Sequence, residues 1–291
     1  MPSHTLRRDT PPPTEPDMTH HDLPVLGAAL PLAGLRAHRD WILESQRDLE
    51  VQDFFMADVL DGDWKPLADE VKRELEGYRG RLGLHGPFWG FSIASRDPAV
   101  RALVSRRIGQ GLDVCGHLGA TQMVIHSPYT TWDHNNLDYN PGGRDLVVEL
   151  VHATIGDAVA RAAGMGVTLV IENIEDKDPH IRVDLAKSFG SAAVKVSIDT
   201  GHANYAHHST DGPPVDYYVH AAGDMLDHVH LQDTDGHADR HWAPGEGNIR
   251  WEEVFRALGR LQASPRLILE LRDQKKLRAG ADHLIRLGLA R

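Results

Sequence analysis

Six short apolar segments of this chain end in a side chain that can hold a metal ion or move a proton. Leu82-Gly83-Leu84 leads to His85, Met123-Val124-Ile125 to His126, and Leu169-Val170-Ile171 to Glu172. Val196-Ser197-Ile198 leads to Asp199 with His202 three residues on, Asp227-His228-Val229 to His230, and Leu267-Ile268-Leu269 to Glu270. Carboxylate oxygens and neutral imidazole nitrogens suit Zn, Mn, Fe or Co. Without a cation, so many carboxylates brought together would repel and take up protons. Any one of these residues alone reads as a hydrogen-bonded core group or a solvated loop residue. Independent structural residues, however, have no reason to choose the same end of six segments. A further loop, Asp239-Arg240-His241-Trp242-Ala243-Pro244-Gly245-Glu246-Gly247-Asn248, has the Pro and Gly that an irregular path needs. In it Asp239 and His241, two apart, can clamp one ion; the alternative is a surface loop with coincidental spacing.

The segments that must position these groups alternate in kind. Eight candidate strands rich in Val, Ile and Leu run over Val25–Leu30, Leu49–Phe54, Arg81–His85, Gln122–His126, Val167–Asn173, Val194–Asp199, Asp227–Leu231 and Leu267–Leu271. Between them, apolar residues recur at three- and four-residue spacing, as in Val100–His117, Asp145–Met165 and Trp251–Leu261, which predicts amphipathic helices. Alternating βα units imply a parallel sheet covered by helices. Eight of them over about 250 residues fit a single closed (β/α)8 barrel, the TIM-barrel architecture, better than an open doubly wound sheet. The first strand also lacks the glycine-rich turn of a dinucleotide-binding sheet. In a barrel the C-terminal strand ends converge on one rim, so the six polar ends are expected to meet there.

Composition narrows the function further. The 291 residues are 41% hydrophobic and 25% charged, as in an ordinary globular protein, and carry a net charge of −11. Nucleic acid is disfavoured as a partner, because a polyanion would have to be held against that field. No stretch approaches the roughly 18 apolar residues of a membrane span, and the first residues lack a secretory apolar core, so the expected location is the cytoplasm. The single cysteine, Cys115, agrees with a reducing compartment and excludes a cysteine-based zinc cluster. Metal binding therefore falls to His, Asp and Glu, and the 19 histidines are the unusual count. Residues 1–22, proline-rich and poor in apolar side chains, read as a disordered tail, with one barrel domain over 23–291.

The stretches His85-Gly86-Pro87, Glu172-Asn173, Asp199-Thr200-Gly201-His202, His230-Leu231-Gln232-Asp233, Asp239-Arg240-His241, Pro244-Gly245-Glu246-Gly247 and Glu270 resemble the xylose-isomerase-like barrel superfamily. The resemblance covers about residues 24 to 290. That superfamily holds sugar and sugar-phosphate isomerases and epimerases together with endonuclease IV. The isomerase branch implies one Mn-type ion on Glu172, Asp199, His230 and Glu270, with His202 facing the substrate. The endonuclease branch implies three zinc ions: one on His85, His126 and Glu172, a second on Glu172, Asp199, His230 and Glu270, and a third on His202, Asp239 and His241. All nine positions are filled here.

Two mechanisms follow. In the first, the metal polarises a carbonyl and its neighbouring hydroxyl. Glu172 and Glu270 then serve as base and acid through an ene-diolate. In the second, two or three zinc ions generate hydroxide and neutralise a phosphodiester. The loops favour the first reading. Ser127–Gly143 carries Asp133 and Asp138 and no Lys or Arg, and residues 173–180 carry three acids against Lys177. Aromatic residues Phe88, Trp89, Phe91, Tyr129, Trp132 and Trp242 lie near the expected rim, where faces such as those of Trp89 and Trp132 would pack on a sugar ring. Arg272 and Arg240 are candidates for holding a phosphate or a hydroxyl, with an outer salt bridge as the alternative for either. The substrate class is thus a small sugar, sugar phosphate or polyol ketone, and the cofactor one to three divalent ions, Mn or Zn ahead of Co or Fe. A metal-stabilised binding module and a homo-oligomer stay open. Of the other histidines, His117, His152 and His220 are placed on helix surfaces or in satisfied contacts, and His134, His207, His208 and His237 in loops.

Overall fold

The computed structural model describes residues 23–291, and the tail read over residues 1–22 lies outside them. Eight strands, β1 (Leu26–Leu30), β2 (Leu49–Val51), β3 (Leu82–His85), β4 (Gln122–His126), β5 (Thr168–Glu172), β6 (Val194–Asp199), β7 (Leu226–Leu231) and β8 (Arg266–Leu269), pair in chain order. All pairs are parallel, and β8 returns to β1 with Leu267 opposite Leu26 and Leu269 opposite Ala28. The result is a closed (β/α)8 TIM barrel, and the open sheet is excluded. The helices are α1 (Leu32–Glu44), α2 (Ala57–Asp61), α3 (Lys65–Glu74), α4 (Pro98–Leu118), α5 (Thr131–Asn136), α6 (Gly143–Met165), α7 (Pro179–Ser188), α8 (Thr200–Ser209), α9 (Val215–Ala222), α10 (Trp251–Leu258) and α11 (Leu277–Arg286). Among the described residues, no helix is long and apolar enough to cross a membrane.

Helix period meets strand period in the layer between barrel and helices. Helix α10 buries Trp251, Val254, Phe255 and Leu258, one stripe at three- and four-residue spacing. Helix α4 does the same with Val104, Ile108, Leu112 and Cys115. Each large aliphatic side chain buried this way contributes about 1.5–3 kcal/mol, so a charged substitution at the wholly buried Ile108 would break the α4 contact. Burial also pushes the Cys115 thiol up to about 12. Helix α4 starts where Asp97 accepts the Ala99 N–H ahead of Pro98, and stops at Gly119, whose φ of +74° suits glycine.

Several boundaries differ from those read in the sequence, each for a local reason. Strand β2 ends at Val51 rather than Phe54: after the Gln52 N–H reaches Leu30 O, the Asp53 carboxylate turns away to accept the Leu32 N–H at 2.7 Å. Strand β5 stops before Asn173, whose side-chain amide replaces the ladder by bonding both the backbone N–H and C=O of Asp199. Strand β8 runs Arg266–Leu269 rather than to Leu271, and Arg272 N–H instead bonds His241 O. Helix α10 closes at Leu258, before Gly259. His134 stands in α5, and His207 and His208 in α8, because Thr130 with Asp133 and Asp199 cap those segments into helices. His117 and His152 are on helices as expected, bonded to Asp69 and Ser188.

Register sets the ranks of side chains inside the barrel. His126 is opposite Glu172, Glu172 opposite Ser197, Ser197 opposite His228, and Asp199 opposite His230. Below the loop after β5, Asp176 accepts the Ser127 hydroxyl at 2.9 Å and the Ile174 N–H at 3.1 Å, 3.4 Å from the Nε of wholly buried Arg182.

Candidate metal centre

The C-terminal ends of β5 to β8 deliver Glu172, Asp199, His230 and Glu270 to one point, with one ligand atom from each within 4.8 Å of the others. The Nδ1 of His230 lies 3.0 Å from Glu172 Oε1 and 3.3 Å from Glu270 Oε2. Asp199 divides its carboxylate. Its Oδ1 caps α8 by accepting the His202 N–H at 2.7 Å and also accepts from Gln232 at 3.1 Å, while Oδ2 is buried without a hydrogen-bond partner. Glu172 Oε2 is buried and unpartnered as well. Unpaired buried carboxylate oxygens are costly. Such carboxylates, gathered with an imidazole nitrogen and Glu270, make a donor set that fits a divalent cation.

Two further groups flank this one. His85 and His126 present Nε2 atoms 3.9 and 3.8 Å from Glu172 Oε2, too far for hydrogen bonds and close enough to share an ion with it. On the other side, His202 Nε2 is 3.4 Å and His241 Nε2 3.0 Å from Asp239 Oδ1. The ring orientations suit ligation: His85 Nδ1 donates to Gly86 O, His202 Nδ1 to Asn173 O, and His241 Nδ1 to Glu270 O, so Nε2 is the nitrogen each turns inward, those of His202 and His241 toward Asp239. The structure therefore brings all nine sequence-read positions together, in three groups of which two share Glu172.

The electrostatics are those of carboxylates and imidazoles compensating one another. Burial alone would lower the His230 pKa, but Glu270, Glu50 and Glu172 outweigh it and hold it well above the usual value. Burial likewise opposes charge on His241, yet Asp239, Glu270 and Asp199 raise it to about 9. His126, with less carboxylate around it, is driven by burial down to about 3 and stays neutral, as a ligand must be. Asp199 is pushed up to about 6 by burial, against the pull of His202 and with the charges of Glu172 and Glu270 adding to the rise.

The expected substrate contacts divide. Trp89 (64% exposed), after β3, and Trp132 (75%), in α5, stand out into solvent. Phe88 instead stacks on His126 at 4.2 Å between ring centres, and Tyr129 is buried beneath its loop. Arg240 pairs with Asp235 at 2.9 Å, the outer salt bridge that was its alternative. Arg272 reaches the Asp239 backbone oxygen at 3.4 Å and lines a cleft of about 340 Å³ with Arg240, Trp242 and Lys276.

Four residues of the site escaped sequence reasoning. Glu50, inside β2, touches His228 and His230. Gln52 donates to Glu270 Oε1. His228 shares the inner face of β7 with His230, a period-2 signal that was legible. Gln232 donates to both Asp199 and Asp239 and accepts the His241 N–H at 2.8 Å, which holds His241 at its φ of +50°. A charged residue in mid-strand was the available signal for Glu50.

The xylose isomerase-like TIM barrel family matches residues 48–287. This chain belongs to that family. Among curated proteins it is 25% identical over 189 residues to an uncharacterized protein of Methanocaldococcus jannaschii, covering 62% of this chain and 61% of that relative's length. A Thermus thermophilus protein, solved after soaking with ZnCl2, is 26% identical with a TM-score of 0.65 over 89% of this chain and 98% of its own. A D-tagatose 3-epimerase-like protein superposes with a TM-score of 0.71 at 20% identity, over 90% and 98% of the two chains. At that identity the likeness carries the barrel fold.

Proposed function

We propose that this family member is a metal-dependent isomerase or epimerase of a small sugar, sugar phosphate or related polyol ketone. The observation that carries the reading is the pair Glu172 and Glu270, set on either side of His230 Nδ1 with Asp199 completing the group. Glu172, Asp199, His230 and Glu270 would hold the ion. When bound, a divalent metal polarises a carbonyl and the hydroxyl beside it, which acidifies the neighbouring C–H bond. The chain's own work is then proton transfer: one glutamate takes the proton from carbon and the other returns it at the adjacent carbon or the opposite face. Gln52 keeps Glu270 oriented, and His202 faces the substrate from the first turn of α8. The fold-level likeness to a tagatose-3-epimerase-like protein supports the substrate class. The test is a panel of ketoses and their phosphates, offered to Mn-, Co- and Zn-loaded protein in D2O. Exchange of a substrate C–H for deuterium with epimerised product is expected; no exchange on any of them overturns the reading.

A second reading rests on the two flanking groups. Nine side chains in three neighbouring ligand sets would suit a multinuclear zinc phosphodiester hydrolase. Metal content per chain separates the two. Near one ion favours proton transfer; two or three zinc ions with cleavage of an abasic duplex would favour hydrolysis.

A further inference from the structure

Glu50 is a buried carboxylate inside the barrel, on the Nε2 side of the His230 ring and close to His85 and Glu270 as well. Its two oxygens lie 3.1 and 3.2 Å from His230 Nε2, and Oε2 lies 3.2 Å from His228 Nε2. His228 Nδ1 is in turn 2.8 Å from the Ser197 hydroxyl. Donors and acceptors along this row can be assigned. An ionised carboxylate only accepts, so His230 Nε2 carries the hydrogen it shares with Glu50, while His228 Nε2 faces Glu50 Oε2 without the geometry of a hydrogen bond. His230 Nδ1 sits 3.0 and 3.3 Å from Glu172 Oε1 and Glu270 Oε2, where it donates to the carboxylates in the absence of an ion. Once a cation takes that place Nδ1 must give up its proton, and the Nε2–H held by Glu50 makes Nδ1 the nitrogen that binds.

We propose that Glu50 is the positioning residue of the metal centre: by accepting Nε2–H it fixes the tautomer and ring plane of His230 and commits Nδ1 to the ion, with His228, bonded to Ser197, packed beside it. The inference rests on the metal site of the proposed function but not on which reaction that site performs. Carboxylate partners of this kind typically change metal affinity about 10- to 100-fold when removed.

The test uses the full chain, Zn2+ as probe, and the variants Glu50→Gln and Glu50→Asp. Competition with a chromophoric chelator is expected to show zinc held roughly 10- to 100-fold more weakly by Glu50→Gln, with part of the loss recovered in Glu50→Asp. Nitrogen-15 histidine NMR of the zinc-loaded wild type should find His230 protonated at Nε2, with a proton resonance shifted far downfield that moves back in Glu50→Gln. A purely packing role would leave that resonance and the recovery by Asp unexplained. Zinc on Nε2 of His230 in the wild type overturns the proposal without need of any variant. Zinc affinity unchanged in Glu50→Gln overturns it too, and complete loss of zinc would make Glu50 a ligand instead. Absence of zinc binding by the wild type would overturn the metal site itself, a result distinct from all three.

Discussion

At the scale of single residues, the site is defined by atoms that have one partner where they could have two. Glu172 spends Oε1 on His230 and leaves Oε2 to His85 and His126, so its removal should be felt in both groups that share it. Glu172→Gln and Glu270→Gln are expected to lower kcat roughly 100- to 10,000-fold while leaving the circular dichroism spectrum unchanged; turnover within a few-fold of the parent would take them out of the proton-transfer step. His126→Ala makes a different prediction because His126 touches only the first flanking group. With one working ion it should cost less than about tenfold in rate and leave metal content unchanged; loss of one ion per chain with complete loss of activity would point to the multinuclear reading. These roles were legible in the sequence since a charged or imidazole group at the end of an apolar strand has few structural excuses. Glu50 was not, because it interrupts a three-residue strand in its middle, where only the closed barrel shows that Ala29 and Gly83 flank it and His230 faces it.

At the scale of elements, the decisive junction is the start of α8. Asp199 is at once the last residue of β6, the cap of α8 and a candidate ligand, and Gly201 lets that first turn lie against Gln232. A Cβ at Gly201 would stand 2.2 Å from the Gln232 side chain, so Gly201→Ala must displace the amide that ties Asp199 to Asp239 and His241. The expected cost is about 1–3 kcal/mol, read as a lowered urea midpoint, together with weaker metal binding by the Asp239–His241 arm. A midpoint and metal content equal to the parent would show that Gln232 can move freely. The eight strands and the helices α4, α6 and α10 could be read from periodicity. Their ends could not: Asp53, Asn173 and Gln232 terminate or replace ladder bonds with side-chain amides and carboxylates, choices made by neighbours far away in sequence.

At the scale of the whole molecule, the barrel interior holds buried carboxylates and imidazoles, and stability should depend on both metal and pH. Metal at about 100 times its Kd would add about 2.7 kcal/mol, so a chelator is expected to lower Tm by roughly 5–10 °C for a chain of this size; an unchanged Tm would argue against a resident ion. Asp176 gives the pH dependence its sign. Burial raises its pKa to about 6, against the pull of Arg182 and its hydrogen bonds, so between about pH 4 and 6 the folded state keeps a proton that the unfolded state has released. Stability of the metal-free protein should therefore fall as pH rises through that window, by on the order of 2–3 kcal/mol relative to Asp176→Asn. Parallel urea titrations of the two proteins at about pH 4 and about pH 7, either side of that window, check it, and equal slopes would refute it. One feature of α4 supplies a clock for such measurements. Cys115 is the only thiol of the chain and is wholly buried against the barrel wall, so a thiol reagent can reach it only when that wall parts. Its labelling rate should track global opening rather than local fraying, rise steeply with denaturant, and slow when metal is added. The molecule thus carries its own reporter of how often the ring of strands breathes, independent of any assay of what the ring catalyses.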